Sequence, residues 1–574
     1  MFKKIIEKGK KVFIEPQGSV LSAASLIMLM IVGSRILGLV RQRTLAHFFT
    51  PDDLSLFFAA FRLPDLIFEV LVFGTFSSAF IPVFAKALKG GNHRAWNTAS
   101  TIVNLGLTIF IIFAIVIGVA ANPIYEIFTP GYSFAEREVI VKLTRILFYA
   151  QGFFVVSYVL TGVLESLRRF LVPALAPLFY NIGIILGTVL LGPKLGLMGP
   201  ALGVVIGAFC HFLIQLPLAV KLGFRFRPKI EIDEDVKKIG KLAGPRLLEV
   251  SFLQVSKLAE LFFSSLISRA SYAYYTFGNT LQLLPVGLFG TSIAKAALPT
   301  LSSEADNTSK FKQTFLSALY QLVFLSAPVA TLLIVLRVPI IRLVYGTDIF
   351  GWEATVQTGY VLSAFAVGVV FQASAALLAR AFYALHDTKT PVTVSIISIL
   401  STISADFIFI KIYGFGVWGL ALALTVGSIF QSVTLFYLIN KKMLHSSMLT
   451  LIKPMVKLVF ASFMSGAIMF FLLKIFDRSV WIKRLSFLGK IEATKTLAFE
   501  RFVLDTRYTI NLLILTIFVS VIGASVYLGI AYLMKSEELN VFVNLIKRTL
   551  VKHKISPIPE QEPEPISPTP GDTT

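Results

Sequence analysis

The chain has 574 residues, of which 56% are hydrophobic and only 15% are charged, and its formal net charge is +21. Its mean hydropathy of +0.78 excludes a soluble domain of this size and indicates a protein with many membrane spans. The positive charge does not indicate a nucleic-acid partner, because Lys and Arg concentrate in loops beside apolar segments, where positive-inside insertion and anionic lipid headgroups require them. The single cysteine, Cys210, excludes a disulfide framework.

Apolar segments of about 20 residues can cross a bilayer, and their number here predicts an all-α polytopic membrane protein with about fourteen transmembrane helices. We predict spans at 19–46, 53–87, 96–121, 137–165, 171–192, 197–221, 237–268, 272–301, 312–337, 353–384, 389–411, 415–440, 452–476 and 509–534. The predicted regions are a basic cytoplasmic N-terminus without a signal cleavage site (1–18), an N-terminal lobe (19–221), a cytoplasmic linker (222–236), a C-terminal lobe (237–440), two further helices (441–534) and a cytoplasmic tail (535–574).

The distribution of basic residues predicts the orientation. From a cytoplasmic N-terminus, the inside loops at 86–94, 168–169, 221–238 and 441–442 contain clusters of Lys and Arg, whereas the outside loop at 121–135 contains neither. Residues 477–508 depart from this pattern, because they are basic yet fall outside. Either a span is miscounted, or this loop forms an amphipathic helix at the interface, which we expect. The Pro-rich, acidic end at 557–574 predicts disorder.

An internal repeat predicts two homologous lobes of six helices each. Residues 168–191 and 196–221 resemble 386–409 and 416–441, and the glycines coincide: Gly196 with Gly416, Gly199 with Gly419, and Gly207 with Gly427. An even number of spans separates the equivalent segments, so the two lobes have the same orientation. A substrate path is expected where such repeats meet.

Ionisable residues lie inside the apolar segments, where a charge at mid-bilayer costs about 2.5–3.5 kcal/mol unless it faces a partner or water. Helical geometry sorts most of them into two stripes: Arg62, Asp65 and Glu69 on the second span, and Arg246, Glu249, Lys257 and Glu260 on the seventh. The stripes lie on corresponding early helices of the two lobes. We expect them to line a central cavity; the alternative is a set of ion pairs that holds the lobes together.

Several segments resemble the MurJ/MviN family of lipid II flippases, within the multidrug/oligosaccharidyl-lipid/polysaccharide exporter superfamily. The resemblance lies in VGSRILGLVRQR (32–43), AFRLPDLIFEVLVFGTFSSAFIPVFA (60–85), RRFLVPALAPLFYNIG (168–183), QLPLAVKLGF (215–224), LAGPRLLEVSFLQVS (242–256), LLPVGLFGTSIAKAALPTLS (283–302) and FYALHDTKTPV (382–392). It implies a bacterial cytoplasmic-membrane protein with a cationic cavity between two lobes, a groove for the lipid tail formed by helices 13 and 14, and alternating access.

The resemblance also implies roles for residues of the first helix. Ser34, Arg35, Gly38 and Arg41 match the family's motif there, which implies that Arg35 and Arg41, with Ser34, bind the headgroup. The chemistry agrees, because a diphosphate that crosses oil needs fixed cations and Arg offers a bidentate donor. For either arginine the alternative is an anchor at the membrane interface.

The chain differs from well-known family members at several charged positions. Phe68, Phe73, Ser55 and Thr280 stand where those members carry charged residues, so the family's roles are not transferred to them. The cations that this chain offers instead are Arg62, Arg246 and Lys257. This difference bears on the exact substrate more than on the fold.

Asp406 is an intramembrane carboxylate with Ser401 and Thr402 about one helical turn away. Because some family members are thought to use sodium, a Na⁺ site at Asp406 is one interpretation, and it requires oxygen donors from another helix. The alternative is a pair with Lys411 near the membrane surface. Membrane potential alone is another driving force, and we expect no cofactor.

Enzyme signatures such as GxxxxGK[ST], HExxH and GxSxG are absent from the sequence. Three functional classes remain. The first is a flippase that moves lipid II to the outer leaflet for cell-wall synthesis, acting as a monomer among anionic lipids. The second is an exporter of another polyprenyl-linked glycan, and the third is a membrane scaffold that transports nothing.

Overall fold

The computed structural model describes residues 20–73, 80–89, 92–477, 506 and 508–552, and the regular elements within them are helices. The N-terminal lobe contains α1 (Val20–Phe48), α2 (Pro51–Ala60), α3 (Arg62–Phe68), α4 (Ile81–Lys89), α5 (Asn92–Val119), α6 (Ala121–Phe128), α7 (Phe134–Ser166), α8 (Leu171–Leu186), α9 (Gly192–Leu195) and α10 (Met198–Lys221). The C-terminal lobe contains α11 (Glu234–Ile267), α12 (Ser271–Pro285), α13 (Ser292–Ser303), α14 (Thr308–Val335), α15 (Arg337–Tyr345), α16 (Trp352–Ala384), α17 (Lys389–Phe407) and α18 (Trp418–Ile439). The chain continues with α19 (Met448–Phe476), α20 (Thr509–Leu533) and α21 (Glu537–Lys552).

Twelve helical segments in the described part of the chain are long and apolar enough to cross a membrane, from His93–Val119 to Thr509–Leu533. They coincide with the third to the fourteenth predicted spans. The first predicted span coincides with α1, and the second coincides with the interrupted series α2, α3 and α4. The predicted all-α membrane fold is therefore confirmed, and twelve of the fourteen predicted spans meet these length and composition criteria in the described residues.

Short π-helical segments recur at similar places in the two lobes. Glu69–Phe73 interrupts the second span and Val286–Thr291 interrupts the eighth, while Gly187–Leu191 and Ile408–Ile412 end the fifth and eleventh spans. Such segments often occur at functional sites, because they leave backbone groups outside the regular helical ladder. The sequence repeat predicts the equivalence of these helices but not the irregularity within them.

The two lobes contact each other at the ends that the positive-inside rule assigns to the outside. The backbone N–H of Ala273 in α12 donates to Ser55 Oγ in α2 at 2.9 Å. At the end of α1, Arg43 Nη1 donates to the Leu343 carbonyl at 2.6 Å, and the Tyr345 hydroxyl donates to Gln42 Oε1 at 2.9 Å. The structure is therefore closed between the lobes on that side.

The helices after the second lobe pack against α14 and each other. The Ser465 hydroxyl of α19 donates to the Gly523 carbonyl of α20 at 2.7 Å, and the Tyr527 hydroxyl donates to the Phe324 carbonyl of α14 at 2.8 Å. Helix α21 lies in the predicted tail, and its Phe542 ring lies 5.8 Å from that of Phe324. The amphipathic helix expected in 477–508 falls almost wholly outside the described residues, as does the tail beyond 552.

Candidate functional site

A proline and two hydroxyls shape the break that presents the first charged stripe. Pro64 has no N–H to donate to the carbonyl of Ala60, four residues earlier, and the helix is interrupted at Phe61. The Thr144 hydroxyl donates to the Ala60 carbonyl at 3.0 Å, and the Tyr125 hydroxyl donates to the Ala59 carbonyl at 3.0 Å. Side chains of neighbouring helices thus satisfy the freed backbone, as membrane interiors require.

Arg62 spans the interface between the lobes. Its Nε donates to the hydroxyl of Tyr272 in α12, and its guanidinium carbon lies 5.4 Å from the centroid of that ring. Asp65 is one helical turn further on, and its Oδ1 accepts a hydrogen bond from Gln151 Nε2 at 2.6 Å. The cation therefore contacts a phenol of the other lobe and interacts electrostatically with a carboxylate of its own lobe, which compensates its removal from bulk water.

The two predicted stripes meet directly at Glu69. Lys257 Nζ lies 2.8 Å from Glu69 Oε2 and 3.0 Å from Glu69 Oε1, and Gln254 Nε2 also donates to this carboxylate. The side chains of Lys257 and Glu69 are 33% and 31% exposed. Because both groups remain partly open, the ion pair lines a space rather than sealing a dry core. It joins α11 to the second span, so the structure contains elements of both the cavity and the ion-pair interpretation.

Glu260 lies one turn after Lys257 and faces the same cluster. Its carboxylate lies close enough to the Tyr275 hydroxyl and to Arg62 to interact electrostatically with both. Arg246 and Glu249 belong to the same helix, α11, but their side chains fall outside the described residues. The predicted stripe of the seventh span is thus represented by Lys257 and Glu260.

Ser34 and Arg35 line a separate cavity of about 400 Å³, together with Glu165, Phe170 and residues of α8. The Arg35 guanidinium also lies against the C-terminal lobe, since a Cβ built on Gly287 would be 3.1 Å from Arg35 Nη2. The absence of a side chain at Gly287 leaves room for this arginine. Arg35 therefore stands where the first helix passes the π-helical segment of the eighth span.

Arg41 is placed apart from Arg35. Its guanidinium carbon lies 6.0 Å from the centroid of the Tyr180 ring in α8. The cations of the N-terminal lobe are therefore distributed along the inner face of the lobe: Arg35 at one cavity, Arg41 at an aromatic ring and Arg62 at the lobe interface.

Asp406 is buried, with only 1% of its surface exposed, and neither of its carboxylate oxygens has a hydrogen-bond partner in the described structure. Lys411, its expected partner in the alternative interpretation, is exposed. The nearby Thr402 hydroxyl donates to the Ser398 carbonyl at 3.1 Å. Within the residues that the structure describes, no group of three or more His, Cys, Asp or Glu side chains could hold a metal ion. A cation at Asp406 would therefore need carbonyl or hydroxyl oxygens as its other ligands.

The uncharged members of the cluster were not predicted from the sequence. Tyr272, Gln151 and Gln254 each form a hydrogen bond with one of the charged groups, although they carry no charge themselves. A buried polar side chain in a membrane span usually has a partner, so these residues were detectable as candidates. Their partners were not, because the contacts join residues far apart in the chain.

The positions that differ from the family have packing roles here. Phe68 is buried against the rings of Phe154 and Tyr158, with centroids 6.0 and 5.3 Å away. The Thr280 hydroxyl oxygen accepts a hydrogen bond from Gln42 Nε2 at 2.9 Å.

Comparisons with known proteins agree with this architecture. A family model described as "Lipid II flippase MurJ" matches residues 45–490. Proteins named probable lipid II flippase MurJ from Vibrio cholerae and Bdellovibrio bacteriovorus are 30% and 29% identical, with 73% and 78% of this chain and 81% and 87% of those proteins covered.

Two solved structures show the same fold. A lipid II flippase MurJ in an inward closed conformation superposes with a TM-score of 0.70 at 24% identity, covering 88% of this chain and 98% of that chain. An inward-facing multidrug transporter of the MATE family, in the MOP superfamily, gives 0.61 at 14% identity, covering 72% of this chain and 95% of that chain.

Proposed function

The chain belongs to the MurJ family of lipid II flippases, and we propose on this basis that it moves lipid II from the inner to the outer leaflet of the bacterial cytoplasmic membrane for cell-wall synthesis. The multi-pass helical fold and the bacterial relatives support this location. The observation that supports transport most strongly is the charged cluster between the lobes, in which Arg62 and Lys257 bring cations into the membrane-spanning region.

The cluster suits a diphosphate-linked sugar headgroup. Lys257 forms an ion pair with Glu69, and Arg62 donates to Tyr272 and interacts electrostatically with Asp65, so neither cation is left uncompensated before substrate arrives. An entering diphosphate would compete with these carboxylates for the cations, since phosphate accepts several charge-assisted hydrogen bonds. Exchange of partners, rather than creation of a bare charge, keeps the cost of binding low.

We propose that transport proceeds by alternating access. The contacts of α2 with α12 and of α1 with α15 close the outer ends of the lobes. These bonds must separate for the headgroup to leave, and the Lys257–Glu69 pair crosses the same interface. We expect the transporter to work as a monomer among anionic lipids.

We propose that Arg35 binds the diphosphate in the cavity that it lines with Ser34. Arg35→Ala should abolish translocation while protein abundance stays near normal, because an exposed arginine contributes little packing. Arg35→Lys should retain part of the activity, since a point charge replaces the planar fork. Lys310→Ala, at an exposed position of α14, is a control for the lost positive charge.

The test reconstitutes the full chain into vesicles with purified lipid II and follows headgroup accessibility from the opposite leaflet. Transport by the wild type and by Lys310→Ala, with loss in Arg35→Ala, would support the proposal. Wild-type rates in a normally expressed Arg35→Ala protein would contradict the role of Arg35. Faster transport of a polyprenyl-diphosphate sugar without the peptide would favour the exporter of another glycan.

Asp406 is proposed as the residue that couples transport to a cation, with Na⁺ as the candidate. The support is its buried carboxylate, whose two oxygens have no protein partner; a bound cation would supply the missing interaction. Asp406→Asn should remove any dependence of transport on a Na⁺ gradient. If the wild-type rate depends on membrane potential alone, Asp406 has no coupling role.

A further inference from the structure

A long apolar groove opens on the surface of the N-terminal lobe, away from the lobe interface. Its volume is about 810 Å³, and it lies between α5 and α7, with Phe212 of α10 also in its lining. Several residues at its mouth are strongly exposed although apolar, including Ile115 at 62%, Val119 at 75% and Tyr149 at 71%. In a membrane protein such a surface faces hydrocarbon, so whatever fills the groove is a lipid chain.

Among the described residues that line the groove, Arg145 is the only charged one. Its Nε donates to the Gly118 carbonyl at 3.0 Å, near the end of α5. This bond fixes the guanidinium at the mouth and leaves its two terminal nitrogens available for another acceptor. Along α7, Arg145 is preceded by charged residues at 136–138 and 142 and followed by an apolar run, which places it at the boundary between headgroups and hydrocarbon.

The length of the groove distinguishes between lipid chains. Its lining extends from Val119 to Leu107 along α5, and from Arg145 to Val156 along α7. At about 1.5 Å per residue these stretches are about 17 Å long, close to half of a hydrocarbon core of about 30 Å. The groove is therefore one leaflet deep, which matches the acyl chain of a phospholipid whose phosphate lies beside Arg145.

We propose that this groove binds an anionic phospholipid of the outer leaflet, with one acyl chain between α5 and α7 and the phosphate on Arg145. The preference for an anionic headgroup follows from the lining, whose described residues include a guanidinium but no acidic side chain to bind the ammonium of a zwitterionic lipid. The site is distinct from the cluster around Arg62, and it does not depend on the identity of the transported substrate.

The experiment uses the full chain, purified and delipidated, with phosphatidylglycerol, phosphatidylcholine and a polyprenyl phosphate as probes. Native mass spectrometry counts the retained lipids, and the thermal midpoint reports stabilisation by each lipid. Loss of a charge-assisted hydrogen bond in Arg145→Met should weaken phosphatidylglycerol binding about tenfold. Lys142→Ala removes the same charge from an exposed position on the same helix and should bind like the wild type.

A second variant tests the groove without removing the charge. Ala114 lines the groove, so Ala114→Phe should fill it and weaken phosphatidylglycerol binding while Arg145 stays in place. If Arg145→Met does not fold, the Ala114→Phe variant alone tests the proposal. Equal binding of phosphatidylglycerol by Arg145→Met and Lys142→Ala, or by Ala114→Phe and the wild type, would overturn the proposal. So would phosphatidylcholine binding as tightly as phosphatidylglycerol, or displacement by equimolar polyprenyl phosphate, which would assign the groove to a polyprenyl tail.

Discussion

In the N-terminal lobe, α8 and α10 meet through the backbones of their glycines, whereas the equivalent helices of the C-terminal lobe, α17 and α18, meet through hydroxyl side chains. A Cβ on Gly183 would lie 2.6 Å from the Gly207 nitrogen, and one on Gly187 would lie 2.7 Å from the Gly199 carbonyl oxygen. In the other lobe the Ser398 hydroxyl donates to the Gly427 carbonyl at 2.7 Å. We call the contact between α8 and α10 the glycine seam and the contact between α17 and α18 the hydroxyl seam.

The same repeat position also differs in polarity. Thr188 and Asp406 are equivalent in the segments 168–191 and 386–409. The Thr188 hydroxyl donates to the Ile184 carbonyl of its own helix at 2.8 Å, whereas both Asp406 oxygens are buried without a partner. Since a threonine suffices for this helix pair in one lobe, packing does not require the acid in the other. The comparison therefore shows that helix packing at this repeat position does not by itself account for the carboxylate of Asp406.

The largest expected effect comes from adding a methyl group to the glycine seam. Gly183→Ala and Gly187→Ala should each lower stability by about 3 kcal/mol or prevent folding, because helix backbones rather than side chains must move apart. Gly529→Ala is the matched control, since no atom lies within 4 Å of its added Cβ, and it should be neutral or slightly stabilising. Thermal midpoints in detergent would measure the difference.

That prediction has a counterpart in the C-terminal lobe, where Ala405 and Ala423 already stand at the positions of Gly187 and Gly203. Normal stability of Gly187→Ala would show that the seam of the N-terminal lobe is as tolerant as its equivalent. The contrast between the lobes would then lie in polarity alone.

An intermediate effect is expected when the polar positions are exchanged. Thr188→Asp buries a carboxylate in a seam without a partner and should cost about 2 kcal/mol or more. Asp406→Asn keeps the volume but removes the charge, so stability should be unchanged or higher. Chemical denaturation or thermal midpoints at neutral pH would compare them. A loss of stability in Asp406→Asn as large as in Thr188→Asp would assign Asp406 a structural role.

The sequence predicts the helices and the repeated lobes because apolar length and glycine spacing are local signals. The faces of Arg62, Asp65 and Glu69 are also predictable, since helical periodicity alone sets them. The bond from Arg62 to Tyr272 and the pairing of Glu69 with Lys257 depend on how the two lobes are packed, which no local pattern specifies. Helix α21 is missed for a related reason: its polar composition suits a solvated tail, and its contact with Phe324 is long-range.

The smallest expected effect distinguishes a side-chain obstacle from a backbone obstacle. Gly427 and Gly207 are equivalent in the repeat, but a Cβ on Gly427 would collide with Thr402 Oγ1, whereas one on Gly207 would lie 2.6 Å from the Tyr180 carbonyl oxygen. Gly427→Ala should cost about 1 kcal/mol, because a hydroxyl can be displaced. Adding Thr402→Ala in the same chain should restore most of that loss of stability, so the effects of the two substitutions should be non-additive.

In the N-terminal lobe, truncating the Tyr180 side chain should not rescue Gly207→Ala, because the obstructing oxygen belongs to the backbone. Thermal midpoints of the four single and two double variants measure both couplings, and equal rescue in the two lobes would refute the distinction between a glycine seam and a hydroxyl seam.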